Sequence, residues 1–308
     1  MRTWACVGSL FLLVFAGACG DSAAEPEPFA LQFAAVANGE PVDCATSFSP
    51  AAGLEVGVSD LRFYISNLQF WDSDGNEVET SLDENEFQYR AESGWVGLVD
   101  LTGNTEGTCA GTAISFAEGT ARTNDAIVGV TQSRLVSRVT FDVGVPQAVM
   151  QEVIGNNTVE GAPSPLGEMY WTWASGYRHF VMNASLSQDG RTGDAYVHVG
   201  SRDCGGVDTL ALEDRDRCGF VNTPQVTLDV ESLETAVIAV DLAAVVAGLD
   251  YVAPVYDLDT FEVIGEDLGV ECHSAPTQPD CDMIFSHFGL DMSSGDADAS
   301  GNAVFLTM

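Results

Sequence analysis

Basic residues are scarce in this sequence of 308 residues, which has 11 Lys and Arg against 46 Asp and Glu and a formal net charge of −35. Proteins that bind nucleic acid need a basic surface to neutralise phosphates, so this composition excludes DNA and RNA as partners. We interpret the acidic excess first as a soluble surface suited to a salty or extracellular setting, and only second as a means of attracting cations.

Local catalytic signatures are also missing. The sequence contains no HExxH, GxSxG, P-loop or GxGxxG motif, which argues against the common metalloprotease, hydrolase and nucleotide-binding classes. With only four His, no local pattern supports a Ser–His–Asp triad, and the abundant carboxylates make any single acid–base pair arbitrary. We therefore expect a protein that is not itself a catalyst.

Long hydrophobic runs, which would indicate a membrane-spanning helix, are absent. The apolar segment Val7–Phe15 follows Arg2 and ends in the small residues of "AGAC", so residues 1–18 are predicted to be a signal peptide. The pattern resembles a bacterial lipoprotein signal, in which cleavage precedes Cys19 and that cysteine carries lipid. Ala16 stands where that pattern prefers Leu, so ordinary cleavage nearby is the alternative.

The signal divides the chain into three parts. Residues 19–28 are polar and contain proline, which predicts a disordered tether. Residues 29–308 are long enough for one large β domain. We expect an exported protein at the outer membrane, in the periplasm or at the cell surface, in contact with the membrane through its lipid anchor only.

Six of the eight cysteines remain once Cys6 in the signal and Cys19 at the cleavage site are set aside. An even number in an exported chain predicts disulfides. None of the spacings resembles a zinc site or a CxxC redox pair, so we expect structural bridges. Sequence order favours the local pairs Cys44–Cys109, Cys204–Cys218 and Cys272–Cys281, although six cysteines allow about fifteen pairings.

Apolar residues recur with a period of two, which predicts half-buried β-strands. Turn sequences separate these strands, as in "NG" at 38–39, "DSDGNE" at 72–77 and "QDGR" at 188–191. Helical patterns are short, as in "VPQAVMQEVIG", "LAAVVAGL" and "CDMIFSHFG". The predicted fold is an all-β, antiparallel β-sandwich with a few short helices and disulfide-tied loops. The predicted core faces are Phe29, Leu31 and Phe33; Leu61, Phe63 and Ile65; Val139, Phe141 and Val143; and Ala195, Val197 and Val199.

The stretch "EMYWTWASGYRHF", residues 168–180, holds two of the five tryptophans and one of the four histidines. In a strand, Trp171 and Trp173 would lie on the same face, Gly176 would permit a bend, and Arg178 could stack on an indole. Two tryptophans in such a strand ordinarily fill a core. Indole is a poor metal ligand because its N–H only donates, so a tryptophan must be chemically changed before it can bind metal.

Five segments in order resemble a known family. They are "VSDLRFYISNLQF", "VGLVDL", "EMYWTWASGY", "HVGSRDC" and "CHSAPTQPDCDMIFSHFGLD". Together they are similar to the metallo-mystery pair four-Cys family, also called MbnP-like proteins with a WxW motif, from Phe29 to Asp291. The resemblance implies an exported β-sandwich that binds copper, usually as Cu(I), and is paired with a MauG-like diheme cytochrome c peroxidase. In such relatives the diheme enzyme oxidises a tryptophan to kynurenine, whose amine joins histidine in binding the metal.

The resemblance places the copper site on particular residues of this chain. The WxW pair is Trp171 and Trp173, with a slight preference for Trp171 as the oxidised one, and the histidine of "HVGSRDC" is His198. The four-Cys pattern falls on Cys204, Cys218, Cys272 and Cys281.

Two other histidines depart from the family pattern. His179 stands where an aromatic or apolar residue is expected, and it is either an added ligand or an exposed imidazole. His273 replaces a methionine of relatives, which makes it a weaker candidate. It is kept as a candidate because imidazole and thioether both bind copper.

Two alternatives stay open from the sequence. The first is a metal-free structural or adhesive β-sandwich lipoprotein with packed tryptophans. The second is a redox enzyme that uses bound copper at an open coordination position.

Overall fold

The structure, a computed structural model, describes residues 25–102, 123–156, 162–172, 175–205, 217–257, 259–260 and 262–308. Three helices occur in them, α1 (Gln147–Asn156), α2 (Leu242–Val245) and α3 (Cys281–His287), with one 3-10 turn at Leu166–Met169. The strands are β1 (Glu27–Ala37), β2 (Glu40–Pro41), β3 (Ser47–Phe48), β4 (Leu54–Trp71), β5 (Glu77–Val78), β6 (Thr80–Leu82), β7 (Gln88–Ala91), β8 (Gly94–Asp100), β9 (Ala126–Thr131), β10 (Arg138–Val143), β11 (Tyr170–Thr172), β12 (Gly176–Gln188), β13 (Arg191–Gly200), β14 (Gln225–Asp229), β15 (Val237–Asp241), β16 (Val252–Tyr256), β17 (Val263–His273), β18 (Phe288–Leu290), β19 (Ala297–Asn302) and β20 (Phe305–Thr307).

Two sheets form the sandwich. The larger one has the order β14-β10-β4-β12-β13-β17-β16, and the smaller one has the order β20-β15-β1-β9-β6. Most neighbouring strands are antiparallel, but β1 runs parallel to β15 and β13 runs parallel to β17. The predicted all-β sandwich is therefore confirmed, with two parallel pairings that the sequence pattern did not indicate.

The core lies where the period of two places it. All four predicted faces are buried in one cluster between the sheets. Phe63 packs against Phe33 with 5.6 Å between ring centroids and against Phe180 with 5.9 Å, which joins the two sheets. Burial of such aromatic side chains supplies much of the driving force for folding.

The other face of the larger sheet carries a second cluster. Residues that alternate with the core positions, such as Tyr64 on β4 and Val181 on β12, pack with Tyr177, Met169 and the apolar face of α1. A strand of alternating side chains thus buries both of its faces in this part of the molecule. The second cluster ends beside the histidines of β13 and β17, where the candidate site lies.

The predicted turns are confirmed. In "NG" and "QDGR" the central residues have positive φ, 55° and 81° at Asn38 and Gly39, and 51° and 79° at Asp189 and Gly190, as a tight hairpin turn requires. In "DSDGNE" the Asp72 carboxylate accepts from the backbone N–H groups of Asp74 and Asn76. The Asp241 side chain caps α2 in the same manner.

Two of the three predicted disulfides are present, Cys204–Cys218 and Cys272–Cys281. The third predicted pair, Cys44–Cys109, includes Cys109, which lies outside the described residues, as do the predicted signal peptide and Cys19. The last residues of the predicted tether, Glu27 and Pro28, belong to β1 because they pair with β9. In the described ranges no helix is long and apolar enough to cross a bilayer.

A buried ion pair lies on the outer face of the larger sheet. Both Asp60 and Arg62 are on β4, and the guanidinium donates two hydrogen bonds of 2.7 Å to the carboxylate. Glu168 lies 3.7 Å from the same guanidinium. Since Arg62 is only 3% exposed, its charge depends on these carboxylates for compensation.

Asp60→Asn should lower the free energy of unfolding by about 3 kcal/mol, because Arg62 would remain buried without its bidentate partner. Asp229→Asn is the matched control, since it breaks the exposed Arg138–Asp229 pair and should cost less than about 1 kcal/mol. Urea unfolding of both variants measures the difference. Equal losses would contradict a role for burial in this pair.

Candidate metal centre

Two histidines meet where β13 and β17 run side by side. The parallel register places His198 opposite His273, and the two Nδ1 atoms are 2.8 Å apart. Paired residues on neighbouring strands project to the same face, here the outer face of the larger sheet. The backbone N–H of His273 donates to the side-chain oxygen of Gln278, and Ser274 Oγ donates to the His198 carbonyl. The Ser274 bond holds the end of β17 against β13, whereas the Gln278 bond and the Cys272–Cys281 disulfide tie it to the following loop and α3.

Asn183 determines which nitrogen of His198 carries the proton. The Nε2 atom of His198 lies 2.8 Å from Asn183 Oδ1, and an amide oxygen only accepts hydrogen bonds. Nε2–H therefore donates to Asn183, and Nδ1 presents a lone pair to His273. The Nδ1–H of His273 donates to that lone pair, so the two imidazoles share one proton between them.

Both imidazoles are neutral at pH 7. Burial lowers the pKa of His198 well below its ordinary value, and the neighbouring His273, Arg178 and Arg62 lower it further by opposing a second positive charge. Burial also lowers the pKa of His273, with Arg178 acting in the same direction and Glu271 opposing it. Neutral imidazole is the form of histidine that binds metals.

Trp171 lies against the histidine pair. Its ring centroid is 5.9 Å from that of His198 and 6.3 Å from that of His273. The guanidinium of Arg178 lies 5.8 Å from the indole centroid, which confirms the predicted stacking. The bend after β11 uses Gly176, whose φ is 70° and whose Cα lies so close to Ser201 and the Cys204–Cys218 bridge that any Cβ would collide with them.

The pair is accessible from one side. His198 is buried and His273 is half-buried. Tyr196 and His273 line a cleft of about 290 Å³ that opens to solvent. The Tyr196 ring lies 5.5 Å from that of His273, so the two imidazoles are flanked by Trp171 and by Tyr196. A small cation could thus reach them without unfolding of the sheet.

His179 is not part of this group, and it is not an exposed imidazole. Its side chain is fully buried, its Nδ1 accepts from the backbone N–H of Val145, and its Nε2 lies 2.8 Å from the Val221 carbonyl. Both nitrogens are used to tie backbone segments together. Burial lowers the pKa of His179 from 6.5 to about 4.

The structure brings together three of the five predicted ligand positions, Trp171, His198 and His273. Trp173 lies outside the described residues. In the part of the chain that the structure describes, no group of three or more His, Cys, Asp or Glu side chains is arranged to hold a metal ion. Unmodified, the group therefore offers two nitrogen donors and an indole.

Sequence reasoning missed Asn183, although a signal for it exists. The turn at 188–191 fixes the register of β12 on β13, which pairs Val181 with His198 and Asn183 with Tyr196. Asn183 therefore lies on the same face as His198 and one side-chain step along the strand. Its Nδ2 atom is buried without a hydrogen-bond partner, which marks it as part of a polar site rather than of the core.

Comparison with known proteins gives one family. The profile of the family described as MbnP matches residues 26–259. The chain belongs to the MbnP family. The solved structure of MbnP from Methylosinus trichosporium superimposes with a TM-score of 0.64 at 23% identity, over 92% of this chain and 99% of that chain. At this identity the superposition shows that the two proteins share a fold. No curated protein sequence matches this chain.

In this MbnP-family protein, the free energy of unfolding should decrease as the pH is lowered from 6.5 to 4. The folded-state pKa of His179 lies below its unfolded value, so the unfolded chain takes up the proton first and is favoured by acid. The shift of the His179 pKa from 6.5 to about 4 corresponds to a loss of about 3 kcal/mol in the free energy of unfolding over this pH range. Urea unfolding at several pH values should give a flatter curve for His179→Gln than for the wild type. Parallel curves would contradict this assignment.

Proposed function

We propose that this chain is an exported copper-binding protein whose site is built from Trp171, His198 and His273. One observation supports this above all. Two neutral imidazoles point their Nδ1 atoms at each other, 2.8 Å apart, directly beside the first tryptophan of the WxW motif. The proposal also draws on the membership of the chain in the MbnP family.

The donor set fits copper. Imidazole nitrogen binds copper in both oxidation states, and two uncharged donors in a buried site favour a monovalent ion over ions that need charged oxygen ligands. His198 and His273 would hold Cu(I) in place of the proton that they share. The proton of His273 would then move to its other nitrogen, so no charge is lost from the protein.

A third donor would come from Trp171. Oxidative cleavage of the indole C2–C3 bond, with hydrolysis, converts tryptophan, O₂ and water to kynurenine and formate. The product carries an aromatic amine in place of the indole N–H, and that amine has a lone pair for the metal. When peroxide is the oxidant, two molecules of it accept the four electrons and supply the two oxygen atoms in place of O₂. The expected partner is a MauG-like diheme peroxidase, so the chain is a substrate and a binder rather than an enzyme.

The assignment of the modification to Trp171 rests on contact. Its ring touches both histidines and is half-buried, so a new amine there would adjoin the two Nδ1 atoms. His179 is left out of the ligand set because its nitrogens already bond to the backbone. We further propose that a lipid on Cys19 holds the protein at the outer membrane or the cell surface. Copper would then reach the protein from the compartment to which it is exported.

The proposal predicts a mass change and a copper site that depends on it. After co-expression with the diheme enzyme, the peptide that contains Trp171 should gain about 4 Da, since one carbon is exchanged for one oxygen. The converted protein should bind one Cu(I), measured by competition with a chromophoric chelator. His198→Ala and His273→Ala should each weaken that binding at least tenfold through loss of a ligand.

His287→Ala is the matched control, because His287 is a half-buried histidine on α3 that bonds to the Val245 carbonyl. It should leave copper affinity unchanged. An intact indole after treatment with an active enzyme would refute the kynurenine step. Tight copper binding by both His198→Ala and His273→Ala would refute the site, and a converted protein that binds no copper would favour the metal-free structural sandwich.

Asn183 should set the copper affinity without contacting the metal. It accepts from His198 Nε2–H and so keeps the Nδ1 lone pair directed at the site. Loss of such a partner typically costs about 10–100-fold in metal affinity. Asn183→Ala should show that loss in the chelator competition, whereas Asn183→Asp, which keeps an acceptor oxygen, should recover most of it. Equal affinities for the two variants would contradict the orienting role.

A further inference from the structure

Exposed apolar side chains are concentrated at one place. Six of the eight large hydrophobic residues that are exposed in the described ranges lie on the β16–β17 hairpin or on α3 beside it. We call this set the hairpin patch: Val252, Val255, Tyr256, Val263, Ile264 and Met283. Ile264 is 65% exposed and Val263 is 60% exposed. Scattered single hydrophobic residues are normal at a surface, but a cluster marks an interaction site.

The geometry of the hairpin explains why these side chains are exposed. β16 is the edge strand of the larger sheet. Val252, Tyr256 and Val263 face a cleft of about 780 Å³ with Met283 also on its wall. Val255 and Tyr256 border the smaller cleft, of about 290 Å³, which also reaches Tyr196 and His273. The hairpin patch is therefore continuous with the opening of the candidate metal centre.

The part of the chain that carries the hairpin patch contains acidic side chains and no basic ones. Residues 218–308 contain 16 Asp and Glu and no Lys or Arg. Five of these acids, Asp250, Glu266, Asp267, Glu271 and Asp280, line the two clefts. An apolar centre with an acidic rim is complementary to an apolar patch ringed by Arg and Lys. Two copies of this chain would instead place one acidic rim against another, which disfavours self-association.

We propose that the hairpin patch is the docking surface for the protein that oxidises Trp171, and that this partner presents an apolar patch with a basic rim. The inference rests on the proposed function and adds the contact surface of the partner. The 11 residues of β17 span about 35 Å at the rise of an extended strand. A standard interface of about 800 Å² per partner has a similar width, so a protein seated on the hairpin also covers the opening beside His273.

The test uses the full chain with Val263→Ser and Ile264→Ser combined, since both side chains are exposed and their loss leaves the core intact. Leu135→Ser is the matched control, because Leu135 is 83% exposed and lies outside the hairpin patch. The probe is a purified MauG-like diheme peroxidase. Its affinity is measured by biolayer interferometry, and the rate of Trp171 conversion is measured by peptide mass spectrometry.

The double variant should bind the enzyme at least tenfold more weakly and be converted correspondingly more slowly at low enzyme concentration. Leu135→Ser should match the wild type. Binding of the wild type should weaken as salt is raised, because the rims are oppositely charged. Copper affinity of the double variant, once fully converted, should equal that of the wild type, which separates docking from metal binding.

Three results would overturn the inference. The first is equal affinity and conversion of the double variant and the wild type. The second is a dimer of the chain alone that the double variant abolishes, which would assign the hairpin patch to self-association. The third is a wild type that the enzyme neither binds nor modifies, which would refute the proposed partner itself. A wild type that is converted but binds no copper would refute the copper proposal and leave the docking result standing.

Discussion

The parallel register between β13 and β17 is the constraint on which the candidate site depends. It pairs Val197 with Cys272 and His198 with His273, so the buried partners lie in the core and the histidines lie on the opposite face. A slip of β17 by one residue against β13 would move His273 into the apolar core and Cys272 to the outer face, and so would separate the two imidazoles. The burial of Val197 and Cys272 therefore keeps the two imidazoles next to each other on the outer face of the sheet. The Cys272–Cys281 bridge, one residue from His273, ties the same strand to α3.

The positive charges near His198 and His273 keep both imidazoles neutral, but they also weaken the binding of a cation. Burial lowers the pKa of His198, and Arg178 and Arg62 lower it further, which keeps its lone pair free of a second proton. The same positive charges repel a metal ion, and repulsion is weakest for an ion of a single charge. Asp60 compensates Arg62 through two hydrogen bonds, so the net field at the pair is smaller than two arginines would produce. Within the proposed function, this balance favours Cu(I) over a divalent metal.

Much of the fold could be predicted from sequence because strands and tight turns are encoded locally. A period of two predicts that Phe63 and Val197 lie in the core, and the turn at Asp189 and Gly190 predicts the hairpin of β12 and β13. The same turn determines the position of Asn183 relative to His198, because both can be counted from it along the paired strands.

His273 could not be placed in this way. Its strand follows β13 by about 60 residues, and parallel pairing has no adjoining turn to set its register. His179 is the opposite case, because it lies close to Trp171 in sequence but does not belong to the site. In the structure both of its ring nitrogens bond to backbone groups of other segments.

β17 links the two proposals physically. One end of this strand exposes Val263 and Ile264 to solvent, and the other end places His273 in the candidate metal centre. The first part of the strand pairs with β16 and the last part, Gly269 to His273, pairs with β13, so backbone hydrogen bonds to a neighbour hold it along most of its length. A partner bound at the hairpin is thereby positioned with respect to His273 and Trp171 by backbone hydrogen bonds rather than by flexible loops.

The exposed apolar residues of an edge hairpin would ordinarily promote aggregation. The acidic rim opposes that outcome, because like charges keep copies of the chain apart while leaving the surface open to a basic partner.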